Sequence, residues 1–575
     1  MLCLGAWCKT YARAEEWDKL NAEIAPYHWD DREKLHRDYF YLRGLHEVLL
    51  IELTDVLNSF HRTQHSSRYW RILIGPWLLY FTQMLFDRWE MVQYAIENYK
   101  IDSSLILDFS PEKFIPHDMV DFRNMYSTDT WNHIIYGQIL TRWTSVTSER
   151  VKSDDFSSKP TATPLVGLRK YVNMLRNIVT LGVSRCSQLL SRSTDVFFFL
   201  TYLPLKQDFL LQLALGQVPS LNLQTSAPRV PPDFDIRKTL SLSTKKHECF
   251  EQYIRTSIPE HIPTVYLEGY EALQDVVAKM PWPNKTKSIF TSVGYNADDV
   301  FKAWAGLKVE DGTPLVIGQH GGNLGSALWT SSEDHEVAIA DRYLTWGWSD
   351  DNPKKYPVSA LKQIGKSQGV WNPTGHLLLV SSVMPRYSYV MGSFTVAAAQ
   401  IDSYLEDQYK FVRELNEIIH DKLVVRVYTV DWGWDQVDRW QDEFPSVHID
   451  SGNGSIESLV NGCRLYVATY NATTFLESLS RNIPTIMFWN PKHWELRSSA
   501  NIYFEKLKNA GIFHESPESA AKKIIEIWDD VQQWWDEPEV QEAREYFCNR
   551  FAKIQEKPIE NLRKAISTVV SEEQD

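Results

Sequence analysis

A chain of 575 residues exceeds one ordinary hydrophobic core and calls for two domains, and its 43% hydrophobic and 23% charged residues sit near the globular average. The formal charge of -14 excludes a nucleic-acid backbone or an anionic membrane surface as the main partner, because either needs a basic face. Any anionic ligand must therefore be held by local donors.

The first residues, MLCLGAWCKT, lack the basic leader, long apolar stretch and small-residue cleavage site of a secretory signal, and read as a strand that starts at once. Cys3, Cys8, Cys186, Cys249, Cys463 and Cys548 lie scattered, with no CxxC pair and no ligand-like histidine spacing. Neither zinc nor a disulfide framework is indicated, and a reducing cytoplasm is the expected setting. Up to about residue 260 the text is mostly helical: REKLHRDYFYLRGLHEVLLIELTDVLNSFH and VGLRKYVNMLRNIVTLGVSRCSQLL repeat apolar residues at three- and four-residue spacing. The longest uncharged run, Ile72 to Phe86, contains Pro76 and falls short of the roughly 20 residues a spanning helix needs, so it predicts a buried helix.

From about Thr264 short apolar runs alternate with helical patterns: TVYLEGY, SIFTSV, the helix-like NADDVFKAWAG, PLVIGQHGGNLG and DRYLTWGWSD. That alternation predicts a mainly parallel sheet with crossover helices. Residues 351–375, rich in proline, lysine and glycine and without clear periodicity, read as a linker after an N-terminal domain of residues 1–350. A second α/β series fills 376–535, with strand patterns HLLLVSS, KLVVRVYTV, SVHID, RLYVATY and PTIMFW separated by helical ones such as QIDSYLEDQYKFVRELNEII. Residues 536–575 read as C-terminal helices.

Three places carry candidate chemistry. In YVATYNATTFLESLSR a strand turns at once into a helix, the position where open α/β sheets bind ligands and where helix N-termini offer N–H groups to anions. Asn471, Thr473 and Thr474 occupy that edge; Thr474 and Glu477 also have the spacing of a capping box, a purely structural device. In PLVIGQHGGNLG, Gly321, Gly322 and Gly325 permit close backbone approach, but no Gly-Lys-Ser/Thr follows, so the loop is not a P-loop. His320 follows a buried-strand pattern and reads either as a catalytic imidazole reaching a cleft or as a structural histidine. Of Glu333, Asp334, Glu336 and Asp341, most read as solvated or capping; Glu336 and Asp341 stay as catalytic candidates. Arg386 lies in the loop after the first strand of the second domain, where a guanidinium can take a phosphate bidentately, and Arg426 lies within the next strand. Lys492 and Arg497 either extend that positive rim or are solvated. Trp346, Trp348, Trp432 and Trp434 stand at strand ends and are nominated for stacking on a saccharide.

LGAWCKTY, PYHWDDREKL, SSRYWRILIGPWL, GQHGGNLG, YLTWGWSD and YNATTFLESLSRNIPTIMFWN together resemble the transferase family encoded in bacterial O-antigen and surface-carbohydrate loci, from Leu2 to the tail. The resemblance implies a GT-B-like glycosyltransferase: two Rossmann-like, doubly wound domains with a large helical N-terminal elaboration. The first domain would face the acceptor, and the second would hold a nucleotide-sugar donor. The family carries a lead-in segment before the LGAWC strand, so either this start is late or its first strand lacks a partner. The expectation is a cytoplasmic, metal-independent enzyme of surface-polysaccharide assembly, with no cofactor beyond its nucleotide-sugar substrate. His320, Glu336 and Asp341 would act in catalysis, with Arg386, Arg426, Asn471, Thr473, Thr474 and Glu477 at the donor beside the glycine loop. The acceptor would be a glycan or lipid-linked glycan; no nucleic acid and no transmembrane segment are expected, and peripheral membrane contact is left open. Two alternatives stand beside it: a sugar-nucleotide 2-epimerase of similar architecture, and a non-catalytic glycan-binding assembly protein.

Overall fold

The structure is a computed structural model that describes residues 1–152, 190–222, 224–242, 249–369, 371–393, 397–452 and 454–569. The helix expected over 166–190, with Cys186, lies outside the described residues up to its last position. The chain forms two compact units, a helical one of residues 33–318, 334–343 and 559–575, and a C-terminal-sheet unit of residues 1–32, 319–333 and 344–558.

In the helical unit, strands Val196–Phe199, Ser288–Thr291 and Leu315–Gly318 pair in parallel, every residue buried. The helix expected over the uncharged run is Ser67–Asn98: Ser66 caps it by accepting from the Tyr69 amide, and Pro76 lies inside it. Leu73, Trp77, Phe81 and Met84 are fully buried along it, so core packing offsets the hydrogen bond that proline removes. Among the described residues no helix is long and apolar enough to cross a membrane. One predicted strand is not a strand: TVYLEGY forms a 3-10 turn over Thr264–Tyr266 and then the helix Tyr270–Lys279. A short apolar run does not distinguish a buried strand from a buried turn, and Gly269 gives the chain its new direction as the helix cap.

The C-terminal sheet has the hydrogen-bonded order His448–Asp450, Leu423–Arg426, His376–Val380, Cys463–Ala468, Thr485–Phe488, Phe513–His514, all parallel. These strands are the ones the apolar runs predicted, with one strand added at Phe513. The long helix between the first two breaks at Leu415 into Gln400–Glu414 and Glu417–His420, where Asn416 caps the second piece. Residues 351–375 belong to this unit, with Val358, Ala360, Leu361 and Ile364 at most 1% exposed. Leu2–Cys3 pairs in parallel with Glu23–Ile24. The N-terminal segment is fastened to a loop and a helix beside the sheet: Arg386 donates to the Trp7 carbonyl at 2.6 Å, and the Tyr11 hydroxyl donates to Asp442, in the helix Gln436–Glu443, at 2.7 Å.

Candidate active site

The C-terminal sheet is laid down from its middle outward. The chain starts at His376–Val380, adds two strands on one side, then crosses back to place Cys463–Ala468 on the other. The crevice beyond the carboxyl ends of these two strands is the topological switch point, where open α/β sheets take their ligands. Thr469 closes its floor, donating to the Val380 carbonyl at 2.9 Å while its hydroxyl lies 2.6 Å from that of Tyr404.

The helix that follows starts at Thr473, two residues earlier than the capping-box spacing implies, and its cap residue, Ala472, has no side-chain acceptor. The box is not formed. Thr474 Oγ1 lies 3.2 Å from the Tyr470 hydroxyl, and Glu477 pairs with Lys362 at 2.5 Å. The Thr473 hydroxyl instead accepts from the Gly322 amide at 3.1 Å. Asn471 is 2% exposed; its Nδ2 donates to Ser326 Oγ at 3.4 Å, and its Oδ1 has no hydrogen-bond donor among the described residues. The two motifs singled out in the sequence, NATT and HGGNLG, are therefore one structure.

The glycine loop is held from below by Gln319. Its Nε2 donates to the Gly321 carbonyl at 2.7 Å, and its Oε1 accepts from the Trp346 amide and the Trp348 indole at 2.9 and 2.8 Å. Gly325 has φ +83 and lies flat on Trp348, where a Cβ would come within 2.2 Å of the ring. At Gly322 a Cβ would meet the Ala472 carbonyl oxygen at 2.4 Å, so only glycine fits this close against the turn. Glu333 anchors the far end: 4% exposed, it accepts from the Gly325 amide at 2.9 Å and from Arg497 Nη2 at 2.6 Å, with Lys355 Nζ at 3.3 Å. His320, half-buried, stands at the loop's start. An uncapped helix N-terminus, a backbone turn and an imidazole on adjoining segments can hold an anionic group and place a proton acceptor on the neighbouring loop.

Several candidates are elsewhere. Glu336 belongs to the helical unit, is wholly buried, and accepts from the hydroxyls of Tyr295 and Tyr343 at 2.6 and 2.9 Å. Asp341 accepts from Arg68 and from the Leu315 amide, both at 2.7 Å, tying strand Leu315–Gly318 to the residue that precedes the next strand. Both carboxylates have their hydrogen-bond partners within the helical unit, whereas the glycine loop belongs to the other unit. Arg426 pairs with Asp450 and donates to the Gly454 and Gly452 carbonyls at 3.0 and 3.1 Å, holding the edge strand and its loop. Arg386 is 9% exposed and fastens the N-terminal segment. Trp346, Trp348 and Trp434 are at most 4% exposed and belong to the core; Trp432 is half-buried, with φ +59. Sequence reasoning passed over Gln319 and Lys355 and set Glu333 aside as solvated or capping. A glutamine directly before a histidine at a strand end carries no signal until the loop is seen to fold back over it. Among the described residues no group of three or more His, Cys, Asp or Glu side chains is placed to hold a metal ion.

The model of a family described as LIC12162 family transferase matches residues 1–566, and the chain belongs to that family. No match was found among curated proteins. Among solved structures, the wall teichoic acid polymerase TagF aligns at 10% identity over 70% of this chain and 98% of that one, with a TM-score of 0.33. The spinosyn rhamnosyltransferase SpnG aligns at 12% identity over 52% and 76%, TM-score 0.30. WaaG, a glycosyltransferase involved in lipopolysaccharide biosynthesis, aligns at 12% identity over 52% and 95%, TM-score 0.27. Superpositions this loose assign neither a substrate nor a residue.

Proposed function

We propose that this LIC12162 family transferase moves a sugar from a nucleotide-activated donor to a glycan or lipid-linked glycan acceptor in the assembly of a surface polysaccharide, with a GT-B mechanism and in the cytoplasm. The observation that carries the reading is the Gly322 amide bonded to Thr473 at the switch point of a Rossmann-ordered sheet. There the donor's phosphates meet the first-turn amides of the helix Thr473–Ser480, whose dipole favours the charge that develops as the nucleotide leaves. Asn471 adds a hydrogen-bonding group to the same edge. His320 takes the proton of the acceptor hydroxyl or orients it, and positive charge near the loop comes from Arg497 and Lys355 through their contacts to Glu333. No bound metal is needed if these groups carry the leaving phosphate.

A panel of nucleotide sugars, including CMP-linked ulosonic acids, screened by thermal shift tests the reading. A true donor at about 100 times its dissociation constant stabilises the protein by about 2.7 kcal/mol. A panel without a single shift would sink the donor assignment, and conversion of the donor with no acceptor present would favour an epimerase.

A further inference from the structure

A cavity of about 910 Å³ lies wholly within the helical unit, between the strand pair Ser103–Asp108 and Thr147–Lys152 and the helices Asp129–Trp143 and Cys249–His261. It is at the upper end of the range for pockets that enclose small ligands. Its floor is hydrocarbon: Ile106, Phe114, Ile115, Leu240 and Leu242 are each 5–6% exposed and line it. The cations buried in its wall are already neutralised, Arg237 by Glu268 at 2.6 Å and Arg255 by Glu52 at 2.8 Å. His261, on the same floor, is bonded to Gln138 at 3.0 Å, and burial pushes its pKa down to about 3, so it too carries no charge near neutrality.

The mouth differs. There Arg142 pairs with Glu260 and Arg150 with Asp108, all four side chains 40–61% exposed. Pairs so exposed contribute little, and a guanidinium gives one up readily for a phosphate it can bind with two parallel hydrogen bonds. On the strand pair, Leu105 and Val151 are 65% and 41% exposed.

We propose that this cavity binds the hydrocarbon chain of an anionic amphiphile, an alkyl or isoprenoid phosphate, with the phosphate at Arg142 and Arg150. A floor of uncharged, mostly hydrocarbon side chains suits an alkyl chain better than a sugar or a nucleotide, which would recover there few of the hydrogen bonds it makes in water. A chain loses none. The site is independent of the donor reading, since binding is measured without turnover.

Isothermal titration of the full chain with octyl, decyl and dodecyl phosphate, each below its micellar concentration, tests the site. The dissociation constant is expected to fall about fourfold per added methylene, the transfer value for a buried CH₂. Thr256→Trp puts an indole into the cavity from an exposed helix position and should obstruct the chain, weakening binding at least tenfold with the melting temperature unchanged. Arg142→Glu with Arg150→Glu should weaken decyl phosphate at least tenfold and remove its preference over decyl glucoside. An affinity that ignores chain length, or one that survives Thr256→Trp, overturns the proposal, as does equal binding of the glucoside by the unaltered protein. Two sources share this chemistry. Binding of farnesyl phosphate without cosedimentation with phosphatidylglycerol vesicles assigns a single-chain isoprenoid phosphate; cosedimentation lost in Thr256→Trp assigns a bilayer lipid.

Discussion

Two threonines stand at strand-to-helix turns, one beside each sheet: Thr291 as the last residue of its strand and Thr473 as the first residue of its helix. Thr291 ends a strand of the helical unit, and its hydroxyl accepts from the amide of Gly294, the first residue of the next helix, at 3.0 Å. Beside it the Ser292 amide and hydroxyl donate to the carbonyls of Leu200 and Thr201, at 3.0 and 2.8 Å. That strand edge satisfies itself and is closed. Thr473 follows a strand of the other sheet, yet its hydroxyl leaves its own helix uncapped and accepts from a loop 151 positions away in sequence. The first hydroxyl serves its own turn; the second joins two segments distant in sequence, and the proposed donor site rests on that junction.

The sharpest way to break this comparison is to remove the imidazole beside the second threonine. His320→Ala should cut turnover at least about a hundredfold, the lower end for lost proton transfer, while the donor dissociation constant stays within about threefold. Steady-state kinetics with fluorescence titration of the donor separates the two, and near-normal turnover would return His320 to a structural role.

Next come the threonines themselves. Thr473→Val should weaken nucleotide binding by about 1–3 kcal/mol with the melting temperature almost unmoved. Thr291→Val should do the reverse, costing about 1 kcal/mol of stability for a lost buried hydrogen bond and leaving nucleotide affinity alone. If both variants lose stability alone, the two turns are the same device.

The smallest effect is acid sensitivity inside the helical unit. His335 is buried against Gly75, Tyr295, His46, Arg71, Lys302 and Glu47, and burial first, then the neighbouring cations, holds its pKa well below the usual 6.5. The folded state keeps it neutral while the unfolded chain protonates it. Its contribution is therefore complete above about pH 6.5 and is lost as pH falls, at up to about 1.4 kcal/mol per pH unit. Denaturant titrations at pH 7 and pH 6 should show the fall, and His335→Leu should flatten it by about 0.7 kcal/mol while nucleotide affinity keeps its own pH dependence. An unchanged slope would mean that other groups set the acid limit.

Much of the C-terminal sheet was legible because each buried parallel strand is a continuous apolar run bounded by turn residues, as in HLLLV and RLYVA. The helical unit was less so. Val196–Phe199 reads as strand or helix equally well, and TVYLEGY was taken for a strand because apolar content without periodicity fixes neither. At the candidate site, glycine marked two real close approaches, Gly322 on Ala472 and Gly325 on Trp348. Charge alone decided little: Glu336 within the helix Ser331–Ile339, Asp341 just before a strand, Arg386 in a loop and Arg426 at a strand end all have partners within the fold. Sequence spacing cannot reveal a partner that comes from a distant segment, which is also why Glu333 was set aside and Glu336 kept.

The chain changes unit after residues 32, 318, 333, 343 and 558. During synthesis, then, the segment containing Trp7 and Tyr11 leaves the ribosome long before the sheet it belongs to. At 5–20 residues per second the last strand, Phe513–His514, follows residue 32 by roughly 25 to 100 s. For that interval Trp7 has Tyr27 beside it but lacks Tyr387 and Arg386, and Tyr11 lacks Asp442. A protein threaded this way is expected to need a holding chaperone early in its life and to tolerate circular permutation better than truncation, because a new start just before residue 344 lets the C-terminal sheet form before its N-terminal strap arrives.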